Sequence, residues 1–295
     1  MKKIRLLFFI VLLSGHFSGI SQNYSNKGKD FYITYPTHID GNTSVMGIYI
    51  TSDVAATGTV TVGTQTLSFS VTPNTVVRKF LGQVSGSDAP NTSVYLTQDD
   101  GIVIGGAIHV VSDNPVVVYA HIIKTSRSGA SLILPSTVWG NKYIVPSYGN
   151  YGPSPGYGAI TVVAAEANTS IQIIPSVNSK NGSKLAGNTY TITLANPGDV
   201  YQLQFANNSD ISGTKVQSIS TNGSSCKRIA VFSSTSWSAF GCTSPVPQSG
   251  DNLYQQLFPT GAWGKNFLTA PAKTRTSDIY RVYYLIYFVT LQDID

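Results

Sequence analysis

Side chains that could do chemistry are few and scattered in this sequence. Glu occurs once, at Glu166, so hydrolysis by paired carboxylates would have to use aspartates. Three histidines lie beyond residue 21, namely His38, His109 and His121. The metalloprotease motif H-E-x-x-H, the phosphate-binding motif G-x-x-x-x-G-K-[ST] and cysteine clusters with zinc spacing do not occur. The sequence therefore predicts no catalytic residue, no cofactor and no metal site.

The aspartates lie where turns are expected. Asp99 and Asp100 precede Gly101 and could bind calcium or stabilise a turn. The turn is favoured because the alternating oxygen ligands of a calcium loop are missing. An Asx-turn role beside Gly, Asn or Pro, or at the head of a strand, is predicted for Asp30, Asp113, Asp199, Asp210 and Asp251. A secreted hydrolase with an Asp pair in a cleft stays open as an alternative function.

His109 and His121 lie on consecutive apolar runs joined by the residues SDNP, an arrangement that could hold a metal ion. If SDNP is a hairpin turn with Val111 opposite Val116, the two imidazoles do not face each other. Each histidine is therefore predicted to be half-buried and hydrogen-bonded.

The elements that must position these side chains are predicted to be β-strands. Short runs rich in β-branched residues recur between turn residues, for example FYITY at 31–35, TLSFSV at 66–71 and AITVVAA at 159–165. No window of eleven or more residues has a helical period, and charged residues make up only 11% of the chain. The pattern predicts an all-β protein.

Two segments suggest an internal duplication: PSTVWGNKYIVP at 135–146 and PTGAWGKNFLTAP at 259–271. Strand-like runs before them also correspond, with VVVY at 116–119 matching IAVF at 229–232. We predict two tandem, related β-sandwich-like units, with a propeller-like closed repeat as the alternative. In each unit the Trp is expected to fill the core and the Gly to allow a tight turn, which gives structural roles to Trp139, Gly140, Trp263 and Gly264.

The predicted boundaries follow from these matches. The first unit is expected at 22–148, a linker rich in Gly, Pro and Tyr at 149–157, and the second unit at 158–271. Residues 272–295 are interpreted as the start of an incomplete third unit or a truncated tail. The tyrosines around the linker are candidate contact residues, because Tyr offers a large contact area at low entropic cost: Tyr148, Tyr151 and Tyr157.

The N-terminal segment has the pattern of a secretory signal peptide. Lys2, Lys3 and Arg5 precede an apolar run that is too short to span a bilayer, and small residues follow it. Residues 1–21 are therefore expected to be removed, and the protein to be secreted or held at the cell surface. The segment holds three of the 19 basic residues and none of the 14 acidic ones, which leaves a net charge of +2. The remaining basic residues form no cluster, so nucleic acid is not an expected partner.

Cys226 and Cys242 are the two cysteines of the chain. Because an exported protein enters an oxidising compartment, we predict that they form one disulfide that closes a short loop. The alternative is two buried free thiols.

Several segments in order resemble the N-terminal domain of the IgG Fc-binding protein family: GKDFYITYP, SDNPVVVYA, LPSTVWGNKYIVPSY, NPGDVYQLQ, DISGTKVQS, CKRIAVFSS and DNLYQQLFPTGAWGKNF. The resemblance covers nearly everything from Gly28 to Arg281. It implies an exported module of large surface or mucus-type proteins, here similar to bacterial members such as those of gliding Bacteroidota. It also implies a cysteine pair at these positions and brings no catalytic residues. Immunoglobulin binding belongs to the animal member, and these residues do not indicate it.

The function favoured by the sequence is a non-enzymatic extracellular binding or adhesion module. Its expected partner is an extracellular protein or a glycan. A structural spacer of a larger surface protein is the second hypothesis, and the Asp-dependent hydrolase is the third.

Overall fold

The protein is described from a computed structural model covering residues 25–90, 93–149, 156–221, 225–239, 250–270 and 282. The expected all-β class is confirmed, and every pairing between named strands is antiparallel. The strands in chain order are β1 Gly28–Ile33, β2 Val45–Thr51, β3 Ala56–Val62, β4 Gln65–Val71, β5 Val76–Leu81, β6 Asp100–Val103, β7 Ile108–Lys124, β8 Arg127–Ile133, β9 Lys142–Ile144, β10 Gly158–Ala164, β11 Thr169–Ile174, β12 Tyr190–Leu194, β13 Val200–Gln204, β14 Lys215–Ile219, β15 Ile229–Ser238 and β16 Asp251–Gln256. Within these residues the helical turns are three short 3-10 segments, Gly41–Thr43, Ser136–Val138 and Thr260–Ala262.

A long strand, β7, connects the two sheets of the first sandwich. Residues 108–111 pair with β1, residues 109–112 with β3, and residues 117–123 with β2. The first sandwich therefore has one sheet in the order β4-β3-β7-β1 and one in the order β5-β2-β7-β8. The expected hairpin at SDNP is wrong, because these residues lie within β7 and carry the chain from one sheet to the other.

The second sandwich repeats this succession of pairings. Its sheets have the orders β12-β11-β14-β9 and β16-β15-β10-β13-β6. Strand β9 therefore has the place of β1, and β15 the place of the second part of β7. Two strands from before the predicted linker pair here: β6 lies beside β13 and β9 beside β14. The boundaries at 149–157 and the duplication stay predictions.

The sheet containing β10, β13 and β15 is buried on both faces. Every residue of these three strands is buried. Val163, Ala230 and Phe232 on one face belong to the core of the first sandwich, whereas Val162 and Val231 on the other face belong to the second core. This double burial explains why AITVVAA is an unbroken run of mostly apolar residues and does not alternate with polar ones.

The sheets of the described residues are open, with no closed barrel and no propeller among them. In the same part of the chain, no helix is long and apolar enough to cross a bilayer.

Candidate functional site

The outward side of the sheet β5-β2-β7-β8 carries a cluster of aromatic residues. Tyr49 of β2 lies directly opposite Tyr119 of β7 on one side and Arg78 of β5 on the other. The next outward position of β2 is Gly47, which pairs with Phe80 of β5 on one side and with His121 of β7 on the other. Side chains alternate along a strand, so these residues face away from the core that Ile48 and Ile50 enter. We call Tyr49, Arg78, Phe80, Tyr119 and His121 the aromatic face.

Gly47 leaves the space that these rings occupy. A Cβ atom at this position would lie 3.1 Å from Tyr49 Cε2 and 3.4 Å from Phe80 Cδ1. The centroid of the Tyr49 ring lies 6.4 Å from that of the Phe80 ring, which it meets edge to face, and 6.1 Å from that of the His121 ring. The strand pairing and the missing side chain together bring the rings into one continuous surface.

The aromatic face combines apolar area with a single cation. The Arg78 guanidinium carbon lies 4.8 Å from the centroid of the Phe80 ring, within the range of a cation–π contact. Partial burial lowers the pKa of His121 from its ordinary value, so this imidazole is neutral at neutral pH. Tyr119 keeps 43% of its surface exposed. Tyr and Arg are among the side chains that are enriched in protein interfaces.

The corresponding side of the second sandwich is covered by protein. There, Phe232 and Tyr254 are buried in the core of the first sandwich, and the Tyr254 hydroxyl donates to the backbone oxygen of Thr34 at 2.8 Å. The Gln202 side-chain amide donates to Thr37 Oγ1 at 2.8 Å. The same position in the sandwich is thus a protein contact in one half and an open surface in the other.

A second apolar surface lies where the described chain leaves the second sandwich. A groove of about 720 Å³ is lined mainly by apolar residues, including Ile144, Pro146, Leu257, Phe258, Trp263 and Phe267. Phe258 is 49% exposed, whereas Leu134, which also precedes the proline of its segment, is 3% exposed. We call this surface the exit groove.

The two Trp-Gly segments have the same backbone form. Pro135 and Pro259 each begin a 3-10 turn that ends at a Trp in extended conformation. Trp139 is buried, and its indole nitrogen donates to the backbone oxygen of Leu134 at 3.0 Å. Trp263 is only half-buried, beside the exit groove. The two indoles therefore share local geometry but differ in how far the surrounding chain covers them.

Neither glycine of these segments has a positive φ. At Gly140 the requirement is a close approach, because a Cβ atom there would lie 2.4 Å from Pro259 Cβ. At Gly264 the approach is less close, because a Cβ atom there would lie 3.3 Å from the nearest atom of the Phe267 ring. Gly140 therefore has a packing role against Pro259, and the tight-turn role expected for Gly264 stays a prediction.

The tyrosines predicted as contact residues are partly engaged within the fold. The backbone of Tyr157 exchanges hydrogen bonds with Ser236, and Lys180 Nζ lies 4.2 Å from its ring centroid. Tyr148 is half-buried, and its backbone oxygen accepts a hydrogen bond from Thr235. Tyr151 lies outside the described residues. A contact role for these three residues stays a prediction.

One Ser, His and Asp cluster occurs on the first sandwich. His109 Nε2 donates to Asp30 Oδ1 at 2.6 Å, and Ser136 Oγ donates to the other oxygen of the same carboxylate. Burial raises the pKa of Asp30, but these hydrogen bonds outweigh burial and keep the pKa below its ordinary value. In a hydrolytic triad the imidazole stands between Ser and Asp. Here the carboxylate stands between them, and the arrangement fixes Ser136 and β7 to β1.

Asp99 and Asp100 bind lysines of the second sandwich. Lys180 Nζ lies 2.7 Å from Asp99 Oδ1, and Lys184 Nζ lies 2.8 Å from Asp100 Oδ2. The Tyr201 hydroxyl also donates to Asp100, at 2.5 Å. Burial raises the pKa of Asp100, but the lysine and the hydroxyl donors keep it below its ordinary value. The pair links β6 to the second sandwich instead of forming a calcium loop.

The other aspartates considered for chemistry accept hydrogen bonds from turns and neighbouring strands. Asp113 accepts from the backbone nitrogen of Thr57, and Asp199 from that of Gly105. Asp251 accepts from the backbone nitrogen of Ser128. Within the described ranges, no group of three or more His, Cys, Asp or Glu is placed to hold a metal ion.

Two features predicted from or present in the sequence lie partly outside the described residues. Cys226 is exposed with its thiol free, and Cys242 lies outside the described residues, so the disulfide stays a prediction. Residues 152–156 read G-P-S-P-G and match the nucleophile pattern G-x-S-x-G. That pattern lies between a strand and a following helix in hydrolases, whereas here strand β10 follows it.

The model of one protein family, described as IgGFc binding protein, matches residues 129–290, more than half of the chain. Neither a curated protein nor a solved structure matches the chain significantly. The match includes both Trp-Gly segments and all strands from β9 to β16.

Proposed function

The chain belongs to the IgGFc binding protein family, and on this premise we propose that it is an exported, non-enzymatic module that binds a protein through the aromatic face. Export is supported by the basic, apolar and small-residue pattern of residues 1–21, which lie outside the described residues. Binding, rather than catalysis, is supported by the family and by the Asp30 cluster, in which the Ser136 hydroxyl donates to the carboxylate and not to the imidazole that a hydrolytic triad would place there.

The observation that carries the proposal is the contrast between the two equivalent sheet faces. On the second sandwich, this face buries Phe232 and Tyr254 against protein. On the first, it presents Tyr49 and Tyr119 with Arg78 beside them. Because rigid aromatic anchors on a sheet lose little entropy on binding, such a face is suited to a protein contact.

The test uses a double variant, Tyr49→Ser with Tyr119→Ser. Both side chains are partly exposed, so the variant is expected to keep its thermal stability while losing contact area. Purified wild type and variant are compared by surface plasmon resonance. The panel contains IgG Fc, the ligand in the family description, and extracellular matrix and mucus glycoproteins before and after deglycosylation.

We expect at least one protein to bind the wild type about tenfold or more tightly than the double variant, and to do so after deglycosylation. Leu185→Ser, which removes a 50% exposed side chain from the loop between β11 and β12, is the matched control and should bind like wild type. Loss of binding on deglycosylation would instead identify a glycan partner. If no panel member separates wild type from the double variant, the aromatic face does not bind a protein of these classes.

A further inference from the structure

The aromatic face and the exit groove correspond to two surfaces that already touch inside the chain. Tyr119 pairs with Tyr49 of β2 and Leu132 of β8, and Phe232 pairs in the same way with Thr161 of β10 and Gln256 of β16. Leu132 on the first sandwich therefore stands where Gln256 stands on the second.

Inside the chain, Gln256 contacts the exit segment of the first sandwich. We use this term for the residues that lead from the last strand of a sandwich to its Trp, Leu134–Trp139 in the first sandwich and Phe258–Trp263 in the second. Gln256 Oε1 accepts from the backbone nitrogen of Leu134 at 2.8 Å, and its own backbone nitrogen donates to Ser131 Oγ at 2.8 Å. Nearby, Arg228 donates to the backbone oxygen of Thr137 in the 3-10 turn. Leu134 and Trp139 are themselves buried in the core that also contains Phe232 and Tyr254 of the second sandwich.

The matching exit segment of the second sandwich has no such cover among the described residues. Phe258 follows β16 and precedes Pro259, as Leu134 follows β8 and precedes Pro135. It is 49% exposed, and the half-buried Trp263 lies beside it in the exit groove. Each chain thus carries one exposed exit segment and one exposed face of the kind that covers such a segment.

We infer that a second copy of this chain covers the exit groove, with Phe258 and Trp263 of one copy packed on Tyr119 and Leu132 of the next. The template is the contact between the two sandwiches of a single chain. This inference rests on the proposed function, because it names the occupant of the aromatic face. The two surfaces are different, so the contact is head-to-tail and leaves a groove at one end and a face at the other for further copies.

The first test measures self-association of the full chain by light scattering over a wide concentration range. We expect the wild-type mass to rise with concentration. Tyr119→Ser and Phe258→Ser should each weaken association about tenfold or more, and Leu185→Ser should leave it unchanged. Thermal melting of each variant shows whether a loss of association reflects unfolding.

Mixing the two interface variants gives the sharper test. The Tyr119→Ser chain keeps an intact groove and the Phe258→Ser chain keeps an intact face, so a mixture can form one contact and no more. We expect a dimer in the mixture and monomers in each separate solution. A monomeric wild type, or a mixture that stays monomeric while wild type associates, would overturn the inference. If the wild type is monomeric but the panel proteins still distinguish Tyr49→Ser with Tyr119→Ser, only the second-copy inference fails.

Discussion

Gly140 lies directly against Pro259, with no room between them for a side chain. A Cβ atom on Gly140 would be 2.4 Å from Pro259 Cβ. The first sandwich contains the same contact, since a Cβ atom on Gly28 would be 2.2 Å from Pro135 Cβ. Each glycine also pairs with a residue of a central strand, Gly28 with Val116 in the middle of β7 and Gly140 with Ile229 at the start of β15. The glycine that opens a sandwich is thus packed against the proline that closes it.

This contact predicts that Gly140→Ala is destabilising even though its backbone conformation suits any residue. The added methyl group must displace a rigid proline ring, and overpacking of this kind costs about 1 to 3 kcal/mol. The free energy of unfolding from urea titration measures the effect. Gly101→Ala is the control, because its Cβ atom would meet only the flexible Gln98 side chain at 3.4 Å. Equal stability of the two variants would contradict the packing role.

The two tryptophans are predicted to differ in their contribution to stability. Trp139 is buried and donates a hydrogen bond to Leu134, so Trp139→Ala should cost about 3 to 5 kcal/mol. Trp263 is half-buried, so Trp263→Ala should cost clearly less in a dilute, monomeric sample. Urea unfolding of both variants measures the difference. An equal cost would show that Trp263 is covered as fully as Trp139.

The strand content and the similarity of the two Trp-Gly segments could be predicted from the sequence, because both are local patterns. The runs VVVY and IAVF, matched by sequence, do occupy corresponding places, since their first residues pair with Gly28 and Gly140. The path of the chain through SDNP could not be predicted, because a Pro that ends one sheet ladder also suits a hairpin turn. The aromatic face was missed for a related reason. Alternation indicates that Tyr119 and His121 share a side of β7, but only the packing of the two sandwiches decides which sheet face stays open.

Asp40 and Arg127 are predicted to make stability depend on pH. Arg127 Nε and Nη2 donate to the two carboxylate oxygens of Asp40 at 2.9 and 2.6 Å, which lowers the pKa of Asp40 from its ordinary value. A lowered folded-state pKa means that the pair stabilises the protein above the ordinary Asp pKa of about 3.9. This stabilisation is lost as the pH falls through the folded-state pKa.

The variant Asp40→Asn tests this dependence. At pH 7 it should be less stable than wild type by about 1.5 to 3 kcal/mol, the range for hydrogen bonds to charged groups. The gap should stay constant down to about pH 5 and shrink as the pH falls below about 4. Urea midpoints measured between pH 7 and pH 2 give the gap at each pH. A gap that does not change with pH would assign the loss to shape rather than charge.

Thr37 is predicted to couple the two sandwiches. Its hydroxyl donates to the backbone oxygen of Leu96 at 2.6 Å and accepts from the amides of Gln202 and Gln204 at 2.8 and 3.2 Å. Thr37→Val keeps the shape but leaves these groups short of a partner, which costs about 1 to 3 kcal/mol. The wild type should unfold in one transition, because Val163 and Phe232 of the second sandwich belong to the core of the first. The variant should lower the midpoint of that transition without splitting it.

Hydrogen exchange localises the effect of Thr37→Val. Amides of β13 should lose protection together with those of β6, since Leu203 pairs with Asp100 and Val200 with Val103 across the two strands. Thr51→Val is the matched control, because its exposed hydroxyl makes one hydrogen bond to Thr75 within the first sandwich. If Thr37→Val behaved like Thr51→Val, or if the wild type unfolded in two steps, the sandwiches would be independent. The shared core requires a single cooperative transition. The sheet that contains β13 contributes one face to each core, so unfolding of either sandwich would disrupt the other.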